Sequence, residues 1–300
     1  MPTLYSQVES NTQKTWFLIF GFLVFIIGLG YLFSYLLGTR IILILAVVVS
    51  ILTSISSYWY SDKIVLQLTH ARLIQKKDNP ELYRIVENLC ITAGLPMPKI
   101  YILNESQPNA FATGRDKHHS VIVVTKGLLE KLERVELEGV IAHELSHIGN
   151  RDILLGTVVV VLVGIVALLS DWFLRMSFWS GVSERDSKDS TGIILMILGI
   201  VAALLAPIAA TLLRLAISRK REFLADATGA LLTRYPEGLA RALEKISSDQ
   251  NPLRVANNAV SHLFICSPFR GRQSKSWLTK LFSTHPPVEE RIKALRQMSV

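Results

Sequence analysis

Five consecutive residues, His143-Glu144-Leu145-Ser146-His147, carry the chemistry of this chain. On a helix, histidines at i and i+4 leave the same face about one turn apart, the spacing at which two imidazoles hold one zinc ion. The glutamate between them stands beside a water on that ion, where hydrolysis needs a general base. Such a pentapeptide arises by chance on the order of once per hundred chains of this composition. The competing reading is a surface helix with two unrelated histidines. A catalytic zinc takes three protein ligands and keeps one position open, so a third His, Asp or Glu must return to the pair. The metzincin spacing would need a Gly at 150 and a His at 153; this chain has Asn150 and Ile153, which rules it out.

The elements that must position the site are largely apolar. The 300 residues are 50% hydrophobic and only 19% charged, unlike an ordinary soluble domain; their mean hydropathy is +0.37. Trp16–Leu37, Ile41–Tyr60, Ile153–Ser170 and Gly192–Leu213 contain no Asp, Glu, Lys or Arg. Each reaches or approaches the ~20 helical residues that cross ~30 Å of hydrocarbon; two re-entrant hairpins are the alternative. The first run is too long for a signal-peptide core and no small-x-small site follows it, so it reads as an uncleaved anchor. Gly38-Thr39-Arg40 turns the first two runs into a hairpin, and Pro207 kinks the fourth.

Lys14, Lys63, Arg72, Lys76, Lys77, Arg134, Arg151, Arg214, Arg219, Lys220 and Arg221 fall on one side of these spans. Only Arg40, Arg175, Arg185 and Lys188 fall on the other, offset by acids. Both termini and the site are therefore expected on the cytoplasmic face of the cell (inner) membrane. The formal charge of +8 is explained by this asymmetry and by lipid headgroups; no motif supports a nucleic-acid partner. Cys90 and Cys266 read as core fillers, neither a disulfide nor a Cys-type zinc site.

The fold expected is a mainly α membrane protein. Its parts are a cytoplasmic N-terminus (1–15), a transmembrane hairpin (16–60), a first soluble part with HExxH (61–152), a second hairpin (153–213) and a second soluble part (214–300). Two hairpins make four membrane helices, and the soluble parts form one α+β, zincin-like domain with a small sheet. Asn79-Pro80-Glu81 starts a helix with an apolar stripe at Leu82, Ile85, Val86 and Leu89. Lys99–Leu103 and Val121–Thr125 are β-branched runs that read as strands, with a third strand or loop at 109–114. Helices follow from about Gly127 and from about Val135 through His147. Beyond the last span, helices are expected at Arg219–Leu232 and Pro236–Ile246, then a long polar loop over 248–282. His262, His70, His118 and His119 read as surface or packing residues.

Topology supplies a candidate third ligand. His147 lies about 9 Å of helix rise before the third span, and the fourth span ends on the side where the third began. Glu222, in Arg219-Lys220-Arg221-Glu222-Phe223-Leu224-Ala225-Asp226, returns about 13 Å beyond that end, to nearly the depth of the histidines. Asp226, at i+4 from Glu222, shares its face and can accept the N–H of a ligating histidine. Taken alone, this segment also reads as a juxtamembrane basic helix with incidental acids.

With these motifs the chain resembles the HtpX branch of the membrane zinc metalloproteases related to CAAX prenyl proteases. Asn109-Ala110-Phe111-Ala112-Thr113-Gly114 is similar to that family's Asn-Ala-Phe-Ala strand, and Thr284-His285-Pro286-Pro287 with Arg291-Ile292 to its C-terminal motif. The resemblance covers residues 14–298. It implies that Asn109, Ala110, Phe111 and Ala112 pair with an extended substrate, and that His285 or Arg219 stabilises the oxyanion; His285 reads equally as a turn cap. It also implies one Zn2+ per subunit, misfolded or damaged membrane proteins as substrates, a stress-response role and self-cleavage. The N-terminal fifteen residues are more polar than the resemblance suggests, without bearing on catalysis. The competing functions are a CAAX-type prenyl endoprotease and a non-proteolytic membrane zinc-binding or chaperone protein.

Overall fold

The computed structural model describes residues 4–36, 38–182, 201, 219–254, 259–269 and 286–298. Two long apolar helices come first, α1 (Leu4–Leu36) and α2 (Ile41–Trp59), joined through Gly38, whose φ of 68° suits a residue without Cβ. A short α3 (Ser61–Thr69) leads into the sheet domain. There β1 (Arg72–Leu73), α4 (Pro80–Ala93), β2 (Lys99–Leu103), β3 (Ala110–Gly114), β4 (Ser120–Thr125), α5 (Lys126–Lys131) and α6 (Arg134–Gly149) follow in order. The apolar α7 (Asp152–Val182) leaves that domain. Helices α8 (Arg219–Thr233), α9 (Pro236–Ser248) and α10 (Val288–Arg296), with a 3-10 turn at Ser261–Leu263, complete the described chain.

Three of these helices contain segments long and apolar enough to cross a membrane: Glu9–Tyr35, Ile41–Trp59 and Asp152–Asp171. The expected fourth span, Gly192–Leu213, lies outside the described residues apart from Val201. Residues 4–15, expected from sequence as a cytoplasmic N-terminus, are helical and continuous with the first apolar run, and Asn11 and Thr15 turn inward and are buried. Leu18, Ile19, Phe22 and Ile26 of α1 pack against Leu155, Val158, Val159 and Leu162 of α7, while Trp16, Phe17 and Phe20 stay exposed.

The sheet runs β1-β2-β4-β3, with β2 and β4 parallel and the outer pairs antiparallel. Both faces are covered, which is why β4 reads as an unbroken apolar run rather than an alternation. Ile100, Ile122 and Val124 face Val86, Val140 and Ile141 of α4 and α6. Phe111, Val121 and Val123 face Val65, Val160 and Phe264 on the other side. Each such fully buried side chain contributes about 1.5–3 kcal/mol of transfer free energy. The edge strand β1 is too short to have carried a sequence signal, and 109–114 resolves as strand β3.

Local signals set the helix ends. Asn79 accepts the Leu82 N–H at 3.0 Å to start α4, and Gly94 ends it with φ 64°. Glu136 reaches back to the Glu133 N–H at 2.8 Å at the head of α6. That helix is buried almost continuously from Gly139 to Ser146. It packs so closely on α9 that a Cβ at Gly139 would lie 2.7 Å from the Leu239 nitrogen.

Candidate active site

Helix α6 presents His143 and His147 on one face, with ring centroids 4.7 Å apart and planes at 88°. Their Nε2 atoms stand 3.2 Å from each other. Helix α8 lies across α6, and Gly229 allows this: a Cβ there would meet the His143 backbone at 3.0 Å. Nearer the start of α8, Glu222 places Oε1 3.7 Å from His147 Nε2 and Oε2 3.9 Å from His143 Nε2. The three ligand-type atoms lie within 4.8 Å of one another.

The outer nitrogen of each ring is already committed. His143 Nδ1 lies 2.9 Å from Asp226 Oδ1, and His147 Nδ1 lies 2.9 Å from Asp152 Oδ2. With carboxylates accepting the Nδ1 protons, both Nε2 lone pairs face the common point. Two nitrogens on a tetrahedral ion at ~2.0–2.1 Å would sit ~3.3 Å apart. The observed separation therefore fits a metal, and the donor set, two imidazoles and a carboxylate, suits a borderline cation.

Burial makes the surrounding charges matter. Arg291, fully buried, holds Asp226 with a fork: Nε at 2.8 Å from Oδ2 and Nη2 at 2.7 Å from Oδ1. Its Nη1 is 3.6 Å from Glu222 Oε2 and donates to the Ile265 carbonyl at 2.8 Å. Burial opposes the charged form of Asp226, but the Arg291 charge and hydrogen bonds prevail and hold the carboxyl at about 2. Burial dominates at His143 and keeps its ring below the usual imidazole range. At His147 burial acts the same way but is outweighed by the Asp152 hydrogen bond and the nearby carboxylates, lifting the ring to about 9. Burial pushes Glu144 up to about 7, even though it accepts a backbone hydrogen bond from Ala112. A carboxyl near neutrality is suited to taking and returning a proton.

A cavity of about 50 Å³ opens beside these groups, lined among others by Ala112, Glu144, His147, Glu222, Arg221 and His262. Strand β3 forms one wall. Its outward-facing rungs are partly used: the Ala110 carbonyl accepts from Ile265 N at 2.9 Å, and the Gly114 N–H reaches Thr157 Oγ1 at 3.4 Å. Asn109 is buried and donates to the Cys266 carbonyl at 3.0 Å. Phe111 points to the opposite face of the sheet, edge-on to Phe264.

The other residues read from sequence fall as follows. Arg219 starts α8 exposed, while Arg221 is buried against the site, its Nε 3.7 Å from Asp152 Oδ1. His285 lies outside the described residues. His70, His118 and His119 are exposed. His262 is buried, as a packing residue would be, but it also lines the cavity beside His147 and Glu222, 3.1 Å from the Gly156 carbonyl. Cys90 and Cys266 are buried free thiols, Cys90 pushed up to about 11 by burial. The structure adds Asp152, Arg221 and the role of Arg291 to the residues expected from sequence. Asp152 carried a signal, an acid just past the second histidine at the head of an apolar run. Arg151, in the left-handed region at φ 57°, lets the chain break there and turn that acid back.

A buried HExxH helix, crossed by a carboxylate-bearing helix beside apolar spans, defines a membrane metallopeptidase. The chain belongs to peptidase family M48, whose model matches residues 76–299. It is 47% identical over 298 residues to a "Protease HtpX homolog" of Dictyoglomus turgidum, covering 99% of this chain and 95% of that one. The corresponding protein of Thermoanaerobacter pseudethanolicus is 47% identical over 303 residues (99% of each), and that of Pyrococcus furiosus 47% over 280 residues (93% and 94%). The crystal structure of S. mikatae Ste24p aligns with 97% of this chain and 66% of its own, at a TM-score of 0.47 and 20% identity. That likeness is too distant to bear on the site.

Proposed function

We propose that the chain is a zinc-dependent endopeptidase, anchored by four spans in the cell (inner) membrane, that hydrolyses misfolded or damaged membrane proteins at the cytoplasmic face. One observation carries the reading: His143 Nε2 and His147 Nε2 converge at 3.2 Å with the Glu222 carboxylate within 4 Å of both. In this reading His143, His147 and Glu222 hold one zinc ion. When bound, the ion supplies Lewis acidity, lowering the pKa of its water toward ~7 and polarising the scissile carbonyl.

The chain's own residues do the rest. Glu144 takes a proton from the attacking water and returns it to the leaving amine nitrogen. Asp226 and Asp152 keep the two imidazoles in the tautomer that turns Nε2 inward. Arg291 neutralises Asp226 and draws on Glu222, so the cluster's negative charge stays balanced. Arg221, in the cavity wall, is better placed than the exposed Arg219 to meet a developing oxyanion; His285 remains the alternative donor. Ala112 is the β3 rung that meets Glu144, and there an extended substrate adds by backbone pairing with little sequence preference. The concentration of Lys and Arg on one side of the spans supports the cytoplasmic placement of both termini.

The test is casein digestion by protein purified in detergent with chelator, before and after zinc is returned. Digestion that ignores both zinc and Glu144→Gln would sink the proposal. A farnesylated peptide cleaved in preference to unfolded protein would instead favour a prenyl endoprotease.

A further inference from the structure

The described hydrogen bonds run one layer further out from the site, into the first membrane helix. Asn11 of α1 is 1% exposed. Its Nδ2 donates to Asp152 Oδ1 at 2.7 Å and to the Asn150 carbonyl at 3.1 Å. Its Oδ1 accepts from Arg221 Nη1 at 3.0 Å. Both amide hydrogens and the amide oxygen are thus used, on residues from the end of α6, the start of α7 and the start of α8. Thr15, fully buried one turn on, donates to the Asn11 carbonyl at 2.8 Å.

Asp152 is the hinge of this arrangement. One of its oxygens receives Asn11 and the other receives His147 Nδ1 at 2.9 Å. Arg221 approaches the Asn11 side of the carboxylate at 3.7 Å. A carboxylate with only His147 to hold it would be free to rotate about its side-chain torsions, and the imidazole would follow. Leucine at position 11 would leave Asp152 without its amide donor and take an acceptor from Arg221. Aspartate would keep the acceptor for Arg221 but turn a like charge toward Asp152.

We propose that Asn11 is a positioning residue of the peptidase centre: by fixing the Asp152 carboxylate it fixes His147 Nε2, and so sets how tightly the site holds its metal. The first membrane helix then braces the site from behind its lining as well as serving as an anchor. The proposal rests on the metal-binding reading above, and the experiment keeps the two apart.

The probe is zinc alone, titrated into full-length protein in detergent against a competing chelator, with thermal unfolding of the chelated form measured in parallel. His147→Ala serves as the control; if it binds zinc as the unaltered protein does, the ligand assignment fails and Asn11 is not the cause. With that control in place, Asn11→Asp is expected to weaken zinc about tenfold, the lower range for losing a partner of a metal-ligating histidine. It retains the Arg221 contact but sets a second buried carboxylate against Asp152, so unfolding of the chelated form should fall as well, and affinity is read at a temperature where the variant is folded. Asn11→Ser, too short to reach Asp152, gives the same loss and replaces the aspartate variant if that one does not fold. The deciding measurement is the cycle: in an Asp152→Asn background, Asn11→Ser should change zinc affinity by less than about twofold, because the two act in series. Unchanged affinity in the single variants, or an equal loss with and without Asp152, overturns the proposal and leaves Asn11 a helix-packing residue.

Discussion

Replacing Asp226 with Asn tests whether the buried charges around the site act as one unit. The carboxylate accepts three donors on two oxygens: Arg291 Nε at 2.8 Å, Arg291 Nη2 at 2.7 Å and His143 Nδ1 at 2.9 Å. A carboxamide offers one oxygen and turns an NH2 group toward donors in place of the other. It therefore strands a fully buried guanidinium. Removing one member of a buried ion pair costs about 3–5 kcal/mol. Protonation of Asp226 bounds the same interaction from another side. A carboxyl held at about 2 against its ordinary 3.8 is worth about 2 kcal/mol. Because the folded value is depressed, that stability is present above pH 3.8 and is lost as pH falls through about 2.

The Asp226→Asn change also frees Arg291 to draw Glu222, already 3.6 Å from its Nη1, away from the histidines. Zinc affinity should then fall about 10–100-fold, as for other partners of metal ligands. The assays are chemical unfolding of the chelated protein and zinc competition in detergent. Asp226→Leu with Arg291→Met should restore stability, since two apolar groups replace both charges, but not zinc affinity. An Asp226→Asn variant within about 1 kcal/mol of the parent, with unchanged zinc affinity, would refute the reasoning.

Further outcomes are expected. Glu144→Gln should lower casein hydrolysis by about 10²–10⁴-fold while zinc content, measured by metal analysis, is retained. Stripping the metal with chelator should abolish hydrolysis and lower the unfolding temperature, and zinc should restore both by mass action. Gly139→Ala forces a methyl against the Leu239 backbone at 2.7 Å. It should cost about 1–3 kcal/mol in denaturant unfolding, only partly offset by the helix preference of alanine.

What the sequence revealed follows from the range of each signal. His143, Glu144 and His147 sit within little more than one turn of helix, so their spacing alone sets their geometry. Glu222 was reachable because two apolar runs between it and the histidines, Ile153–Ser170 and Gly192–Leu213, led to the expectation of a hairpin that brings the chain back to the depth it left. Helix α4 declared itself through Asn79, Pro80 and its apolar stripe. Asn11 and Arg291 were not legible in the same way. Their side-chain partners lie 65 to 210 residues away, and no local period records such contacts. The polar segment ahead of Trp16 gave no sign of bearing on catalysis because its inward face is specified by groups on α7 and α8, not by its own pattern. His262 and Arg221 likewise gain meaning only once the cavity wall is assembled.

The link from Asn11 to Asp152 and Arg221 also imposes an order of events during synthesis. Its partners are made 141 and 210 residues later, so the first helix enters the bilayer with its amide still waiting. Both histidines leave the ribosome before the carboxylate that completes their set, by roughly 4–15 s at ~5–20 residues per second. A half-made chain thus carries the histidine pair without a finished blade, and on the proposed reading cutting power arrives only when Glu222 has been made and brought back to it.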